Sequence, residues 1–532
     1  MKKLFLFALL VLFMPHNSFG QKLIQGHKWE TIDLSFTTKG HIEKPFQVEI
    51  SCTFKSPDGS QLNVPGFYNG NNEWLVRFNP NIEGIWTSIS NASVKKLNGI
   101  KHVIKVAPAK KGVRGGIKIS NTDAQKLIYE DGSSYNLVAN EVDWLFALDY
   151  GNPDLTKTKT LINAISANGF NQIIMNVYAY DLDWKQSENI DPKWDFGSKK
   201  EIFPFLGDND NPDYSALNVE FFKHYDRVIE LLEDHGIVAH IMIYVWNKMV
   251  NWPEANSEAD NMYFDYVVKR YQAKSNVIWD ISKEALRYGY DDPNYITERI
   301  DRLKRLDAYN RLVTVHDFDY CEANPDKVDI ISAQFWHSDI YSKMLKLKSQ
   351  YPNKPIINLE NGAYEKCQYD IFLDSNYDNP ISGIERNYKC AFAGTYTSYY
   401  WQGMAWNIVI YDPFSEDVTV QPKFEYFKYL QDFLDKANFE KLQPSDRYSS
   451  SGYCLANTED GEYVYYMPKA NSAIAIKGLP KSEKLQIQWF NPLTGEYTEP
   501  YDVDFKSWLI LNPEFEGIDN VIIVKLVNRI KK

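Results

Sequence analysis

Between residues 117 and 436 short apolar, β-branched and aromatic runs alternate with longer segments whose apolar residues recur every three or four positions. The short runs predict eight strands, at 135–140, 171–177, 237–244, 277–281, 312–316, 328–334, 355–359 and 395–401. The longer segments predict helices. VEFFKHYDRVIELLEDH (219–235) has helical spacing and stops at Gly236, and 258–271 and 294–309 behave alike. Strand and helix in alternation is the pattern of a parallel sheet with crossover helices, and eight repeats favour closure. The expected fold class is therefore α/β, with a (β/α)8 TIM barrel over 117–436.

The pattern changes at both ends. Over 22–113 it becomes short alternating runs broken by turns, FQVEISCTF then SPDGS, WLVRF then NPNIEG. Over 440–532 it does so again, in YVYYMP, AIAIKGLP, LQIQWFNPLTGEY and NVIIVKLV. Both stretches predict β-sandwiches flanking the barrel. Residues 107–116 read as a linker. The stretch 185–216, rich in Asp, Asn, Pro and Gly, reads as an irregular loop over the barrel mouth.

Composition adds a compartment and excludes some partners. Lys2 and Lys3, the apolar run 4–14 and the small residues before Gln21 form a signal-peptide pattern over 1–20, so export to a periplasm or the medium is expected. That run is too short to span a bilayer, and no later run would serve as a membrane helix. The formal charge of −12 becomes −14 once Lys2 and Lys3 are removed, which argues against nucleic-acid partners. Cys52, Cys321, Cys367, Cys390 and Cys454 lack metal-ligand spacing and read as buried or free thiols, with a Cys367–Cys390 bridge permitted but not indicated. The 36 Tyr and 14 Trp supply planar faces of the kind on which sugars stack. The chain carries no P-loop, dinucleotide glycine fingerprint or G-x-S-x-G elbow, and His316 with His337 lacks zinc-site spacing, so neither metal nor cofactor is expected.

The candidate chemistry lies at strand ends. SNVIWDISKEAL (275–286) reads as a buried fourth strand delivering Glu284, and KPIINLENG (354–362) as a seventh delivering Glu360. The C-terminal face of a barrel carries its active site, and strands four and seven face each other across it. Two carboxyls so placed suit a retaining glycosidase, in which one protonates the leaving oxygen and the other attacks the sugar carbon. Other strand ends offer hydroxyl-binding and stacking groups: Asp143, Trp144, Asn176, Tyr178, Trp246, Lys283, His316, Gln334, Trp336, His337, Tyr364 and Trp401. Asn140, Glu141, Tyr180, Asn247 and Trp406 belong to the same wider set, Asp280 and Glu365 are reserve carboxylates, and Trp279 and Phe335 read as core. Oligomeric state is not legible.

These residues carry a resemblance. SNVIWDISKEA resembles the strand-four motif of clan A glycoside hydrolases, and KPIINLENG their strand-seven nucleophile motif. YNLVANEVDWLF and HYDRVIELLEDHGIVAHIMIYVW resemble apiosidase-like barrels. The segment from WETIDLSF to EGIWTSIS resembles a domain of unknown function that precedes such barrels, and IQWFNPLTGEY a C-terminal domain labelled collagen-binding. The resemblance implies a cofactor-free carbohydrate hydrolase with Glu284 as acid/base and Glu360 as nucleophile. Two departures stand out: Lys283 where clan A usually carries Asn, and Glu284 where many apiosidase-like barrels carry Asp, so apiose specificity is not carried over. The competing expectation is a non-catalytic glycan-binding protein on a degenerate barrel.

Overall fold

The computed structural model describes residues 23–181, 191–197, 199–289, 292–364, 379–402, 407–418 and 421–529. The signal-peptide pattern, Glu365, Cys367 and Trp406 lie outside them.

Eight parallel strands form the central sheet: β1 (Val138–Glu141), β2 (Gln172–Asn176), β3 (Val238–Val245), β4 (Val277–Lys283), β5 (Val313–His316), β6 (Ile331–Ala333), β7 (Ile356–Asn358) and β8 (Tyr396–Gln402). Each falls on one of the eight runs read from the sequence. Their ladder runs β5-β4-β3-β2-β1-β8-β7-β6, a barrel closed except between its two end strands. Across that seam the Asp329 amide donates to the Val313 carbonyl at 2.8 Å. The Thr314 hydroxyl adds a bond to the Ile330 carbonyl at 2.8 Å and lies 2.7 Å from the Ser332 hydroxyl. Side-chain hydroxyls thus do part of the work of the missing ladder. The strands are buried along their length because both faces are covered, by interior side chains and by helices.

The helix Val219–Asp234 shows how the outer layer forms. Asn218 caps its first turn by accepting from the Phe221 amide at 3.2 Å, and Gly236, at φ +68°, ends it. Phe221, Phe222, Tyr225, Val228, Ile229 and Leu232 share one face and are buried. Each such side chain contributes roughly 1.5–3 kcal/mol. Glu258–Tyr271 matches its predicted span, and 294–309 becomes Pro293–Leu306, capped by Asp292.

Antiparallel sheets flank the barrel at both ends. The N-terminal unit packs a five-stranded sheet on a three-stranded one around Phe36, Phe54, Trp74, Phe78 and Trp86, with Phe54 and Phe78 stacked at 3.9 Å. The C-terminal unit packs six strands against two around Tyr463, Tyr465, Ile487, Trp489 and Ile522. A buried ion cluster ties the first of these to the barrel: Asp226 accepts from Arg77 at 2.7 Å and from Arg270 at 2.6 Å. Cys52, Cys321, Cys390 and Cys454 are buried free thiols. Among the described residues no helix is long and apolar enough to cross a membrane.

Two stretches differ from their sequence reading. Just after the linker, Ile117–Ile119 and Leu127–Tyr129 form a small hairpin ahead of β1. Within 185–216, Phe205–Gly207 pairs with Pro212–Leu217. GDNDNP is the turn between them, where the Asp208 carboxylate accepts from the amides of Asp210 and Asn211, each at 2.9 Å. The three-residue runs give too few alternations to register as strands, and PDYSAL has too few apolar positions.

Candidate active site

The candidate carboxylates sit in or just past a place where a barrel strand carries one residue too many, Glu360 in one and Glu284 two positions beyond the other. Between the pairs Asp280↔Thr314 and Lys283↔His316, two residues of β4 oppose one of β5. β7 resumes after a break as Gly362–Tyr364, and between Asn358↔Thr397 and Gly362↔Tyr400 three residues oppose two of β8. Such bulges re-aim side chains.

At the first bulge a polar chain crosses the barrel interior. Tyr135 donates to Gln172 at 3.0 Å, Gln172 lies 3.2 Å from His240 Nδ1, and His240 Nε2 lies 3.0 Å from Asp280 Oδ2. Asp280 Oδ1 then accepts from the amides of His316 at 2.8 Å and Ser282 at 3.2 Å, which holds the bulged backbone. Glu284 follows in the left-handed region, at φ 55°, with its amide on the His316 carbonyl at 3.0 Å. A non-glycine residue held there marks strain of the kind found at functional sites.

At the second bulge Asn358 pins the ends of β6 and β7 by exchanging bonds with the Phe335 backbone at 2.8 and 2.9 Å. Arg386, from the helix Pro380–Phe392, donates to Asn361 at 2.8 Å and to the Gly362 carbonyl. Glu360 is fixed between these two anchors. Gly362 is required by the indole of Trp336, since a Cβ there would stand 2.3 Å from its Cζ3.

Gln334 joins the two acids. Its amide donates to Glu360 Oε1 at 3.0 Å and also hydrogen-bonds Glu284. Asn247 donates to the other side of Glu284. Lys283 is only 1% exposed, and its ammonium lies 2.6 Å from Glu141, 2.8 Å from Glu360 and 3.4 Å from Asp143. Asp143 also accepts from Tyr400 at 2.7 Å and lies 3.5 Å from Lys248.

The electrostatics separate the groups. Burial, then the neighbouring Glu360, pushes the Glu284 carboxyl above the usual carboxylate range. Burial pushes Glu141 well up, with Lys283 pulling it partly back. Burial acts on Asp143 too, but Lys283 and Lys248 outweigh it and hold that carboxyl at about 2. For Lys283 burial is outweighed by Asp143, Glu141 and Glu360, so its ammonium is held well above the ordinary range. His316 is pushed well down by burial and then by Lys283, which leaves a neutral imidazole 3.7 Å from Glu360. Glu141, His316 and Glu360 bring ligand atoms within 4.8 Å of one another, a spacing that suits a metal ion. The ammonium of Lys283 already stands against two of the three.

The residues named from the sequence divide accordingly. Lys283, His316, Gln334, Asp143 and Trp336 gather around Glu360 and Glu284. Lys283 is buried among the carboxylates of Glu141, Asp143 and Glu360. Trp246, partly exposed, stacks on Tyr244 at 5.9 Å and closes over Gly289. Asn176 is fully buried with both amide atoms unpartnered, and Trp401 is 7% exposed. Trp144 is fully buried with the Lys248 ammonium 5.4 Å from its ring centre. Tyr178 is enclosed by Phe146, Phe203, Phe221 and Trp252, which leaves its ring no face for a sugar. His337 is exposed at the rim, and the side chain of Tyr364 lies outside the described residues. Sequence reasoning missed Lys248 and Tyr400. Alternation along β8 could have signalled the latter, since Tyr399 packs outward on Phe427 at 4.2 Å.

A near-closed parallel barrel with paired strand-end carboxyls has the glycoside hydrolase fold. Residues 122–408 match the model of the apiosidase-like catalytic domain, and the chain belongs to that family. Residues 25–91 match a domain of unknown function (DUF5060). No curated protein sequence matches the chain. Among solved structures, it is similar to a protein from Bacteroides vulgatus described as a "putative glycoside hydrolase", at 19% identity and a TM-score of 0.76 over 95% of this chain and 100% of that one. It is also similar to a family 5 glycoside hydrolase from the same species, at 14% identity and a TM-score of 0.57 over 77% and 94%. A structure described as a glycoside hydrolase aligns at 14% identity and a TM-score of 0.58 over 78% and 98%.

Proposed function

We propose that the protein is an exported, retaining glycoside hydrolase acting on a plant or algal polysaccharide or its oligosaccharides. Glu284 is the acid/base and Glu360 the nucleophile. The observation that carries this reading is the pair of carboxyls at facing bulges, bridged by Gln334 and set in unlike surroundings. Burial and the charge of Glu360 favour a protonated Glu284, which suits it to protonate a leaving oxygen. Glu360, with Lys283 at 2.8 Å and Gln334 at 3.0 Å, is the group placed to attack the sugar carbon.

A screen of sugars released from plant and algal polysaccharides should identify a substrate. E360Q should then lose roughly 10⁴-fold or more in kcat while keeping its melting temperature. The anomer released first, read by proton NMR, should match that of the substrate. Undiminished hydrolysis by E360Q would sink the assignment. The close Lys283–Glu360 contact also suits a binding protein that has retired its nucleophile, and glycan retention without product release would favour that second reading.

A further inference from the structure

The aromatic rings at the barrel mouth differ in how much of a face they offer. Trp144 and Tyr178 are buried, and Trp336 is closed against Gly362. Trp246 stacks on Tyr244, and its indole meets Gly289 so closely that a Cβ there would stand 2.4 Å from its Cδ2. Tyr288 is 62% exposed, at the end of the single helical turn Ala285–Tyr288 that follows Glu284. Its amide donates to the Glu284 carbonyl at 3.2 Å, and the Gly289 amide to the Ala285 carbonyl at 2.9 Å, so the turn that carries the ring is tied to the acid itself. Trp246, whose own amide donates to the Lys283 carbonyl at 3.2 Å, backs the far end of that turn. Met249, 52% exposed, stands likewise in the loop after β3, the loop that brings Asn247 to Glu284.

A large ring left in water adds nothing to the core, and on a fixed turn beside a reacting group it suits a ligand with a flat apolar face. The C–H face of a sugar ring is such a face. The Glu284 charge acts on the Tyr288 hydroxyl more strongly than the Glu360 charge does, which puts the ring on the acid's side of the pair. The acid of a glycosidase faces the leaving oxygen, and beyond that oxygen lies the leaving sugar. We propose that Tyr288 is a specificity-determining residue, the platform on which the leaving sugar stacks, an assignment that rests on the reading of Glu284 as the acid. It selects for substrates in which a sugar, and not a small alcohol, departs.

Wild type and Y288A are compared on the oligosaccharide that the polysaccharide screen identifies and on the glycosyl fluoride of the same reacting sugar, whose leaving group has no ring to stack. The ratio of kcat/KM for the oligosaccharide to that for the fluoride should fall roughly tenfold in Y288A and recover in Y288F and Y288W. Tyr288 is exposed, so Y288A should keep its melting temperature. Equal losses on the two substrates, or no loss on the oligosaccharide, overturn the proposal. If the wild type releases sugar from no polysaccharide, the hydrolase reading falls, and the platform is read by calorimetric titration with plant and algal oligosaccharides. Binding that Y288A weakens roughly tenfold and Y288F retains sustains the platform. Binding that Y288A leaves unchanged, or no binding by the wild type, overturns it.

Discussion

Two buried ion clusters in this protein are built in opposite ways. At the junction of the N-terminal unit and the barrel, Asp226 is gripped by two guanidinium groups, and every nitrogen of both has an acceptor. Arg77 reaches Asp33 at 3.2 Å and the Arg270 carbonyl at 2.9 Å, and Arg270 reaches Tyr266 at 2.8 Å and Asn69 at 3.1 Å. At the barrel mouth four carboxyls, Glu141, Asp143, Glu284 and Glu360, crowd around Lys283 and Lys248, and among the described residues Glu141 Oε2, Asp143 Oδ1, Glu360 Oε2 and His316 Nε2 have no hydrogen-bond partner. Burial is costly for any polar atom left unpaired. A cluster that satisfies itself holds the fold together, and one that does not is kept because a ligand or a reaction uses it.

That contrast can be broken by substitution. E284Q should cost about 10²–10⁴-fold in kcat on substrates with poor leaving groups, with unfolding unchanged. The loss should nearly vanish for dinitrophenyl glycosides in the first step, because their leaving group needs no proton. D226N should do the reverse. It leaves two guanidinium groups buried against a neutral amide and should lower stability by about 3–5 kcal/mol in urea unfolding, with kcat of the folded fraction intact. Loss of turnover in folded D226N, or of stability in E284Q, would erase the distinction.

The smallest effect is a pH dependence. Burial pushes the Asp226 carboxyl up, but Arg270 and Arg77 outweigh it and hold it well below the usual carboxylate range. A depressed carboxyl contributes its stability above the unfolded value, near ~3.9, and loses it as pH falls toward the folded one. The stability gap between wild type and D226N should therefore be flat from neutrality down to about pH 4 and shrink below it. A gap that narrows between pH 7 and 5 would contradict the ion-pair account.

Much of this was legible from local patterns. All eight barrel strands fall on runs read by alternation and apolar content, and Glu284 and Glu360 were picked from their place at strand ends. The helix at 258–271 kept its predicted bounds because its cap and its apolar face agree. The hairpin Phe205–Gly207/Pro212–Leu217 reads as irregular in the sequence because its first strand has only three residues and its second, PDYSAL, offers few apolar positions. Lys248 and Tyr400 were passed over because each gains meaning only from Asp143, which is distant from both in sequence.

The chain's own pattern thus determined the barrel, the flanking sandwiches and the two carboxyls, since strand and helix periods are properties of neighbouring residues. Only the tertiary structure decided what those carboxyls face. The two bulges exist as register against another strand, and the partners of Lys283 come from elements about 77 to 142 residues away. Lys283, one position before Glu284, reads in the sequence as a substituted sugar contact, or as an amine that would lower the pKa of any carboxylate it approached. The fold buries it against Glu141, Asp143 and Glu360, because a charged group taken out of water needs opposite charge beside it.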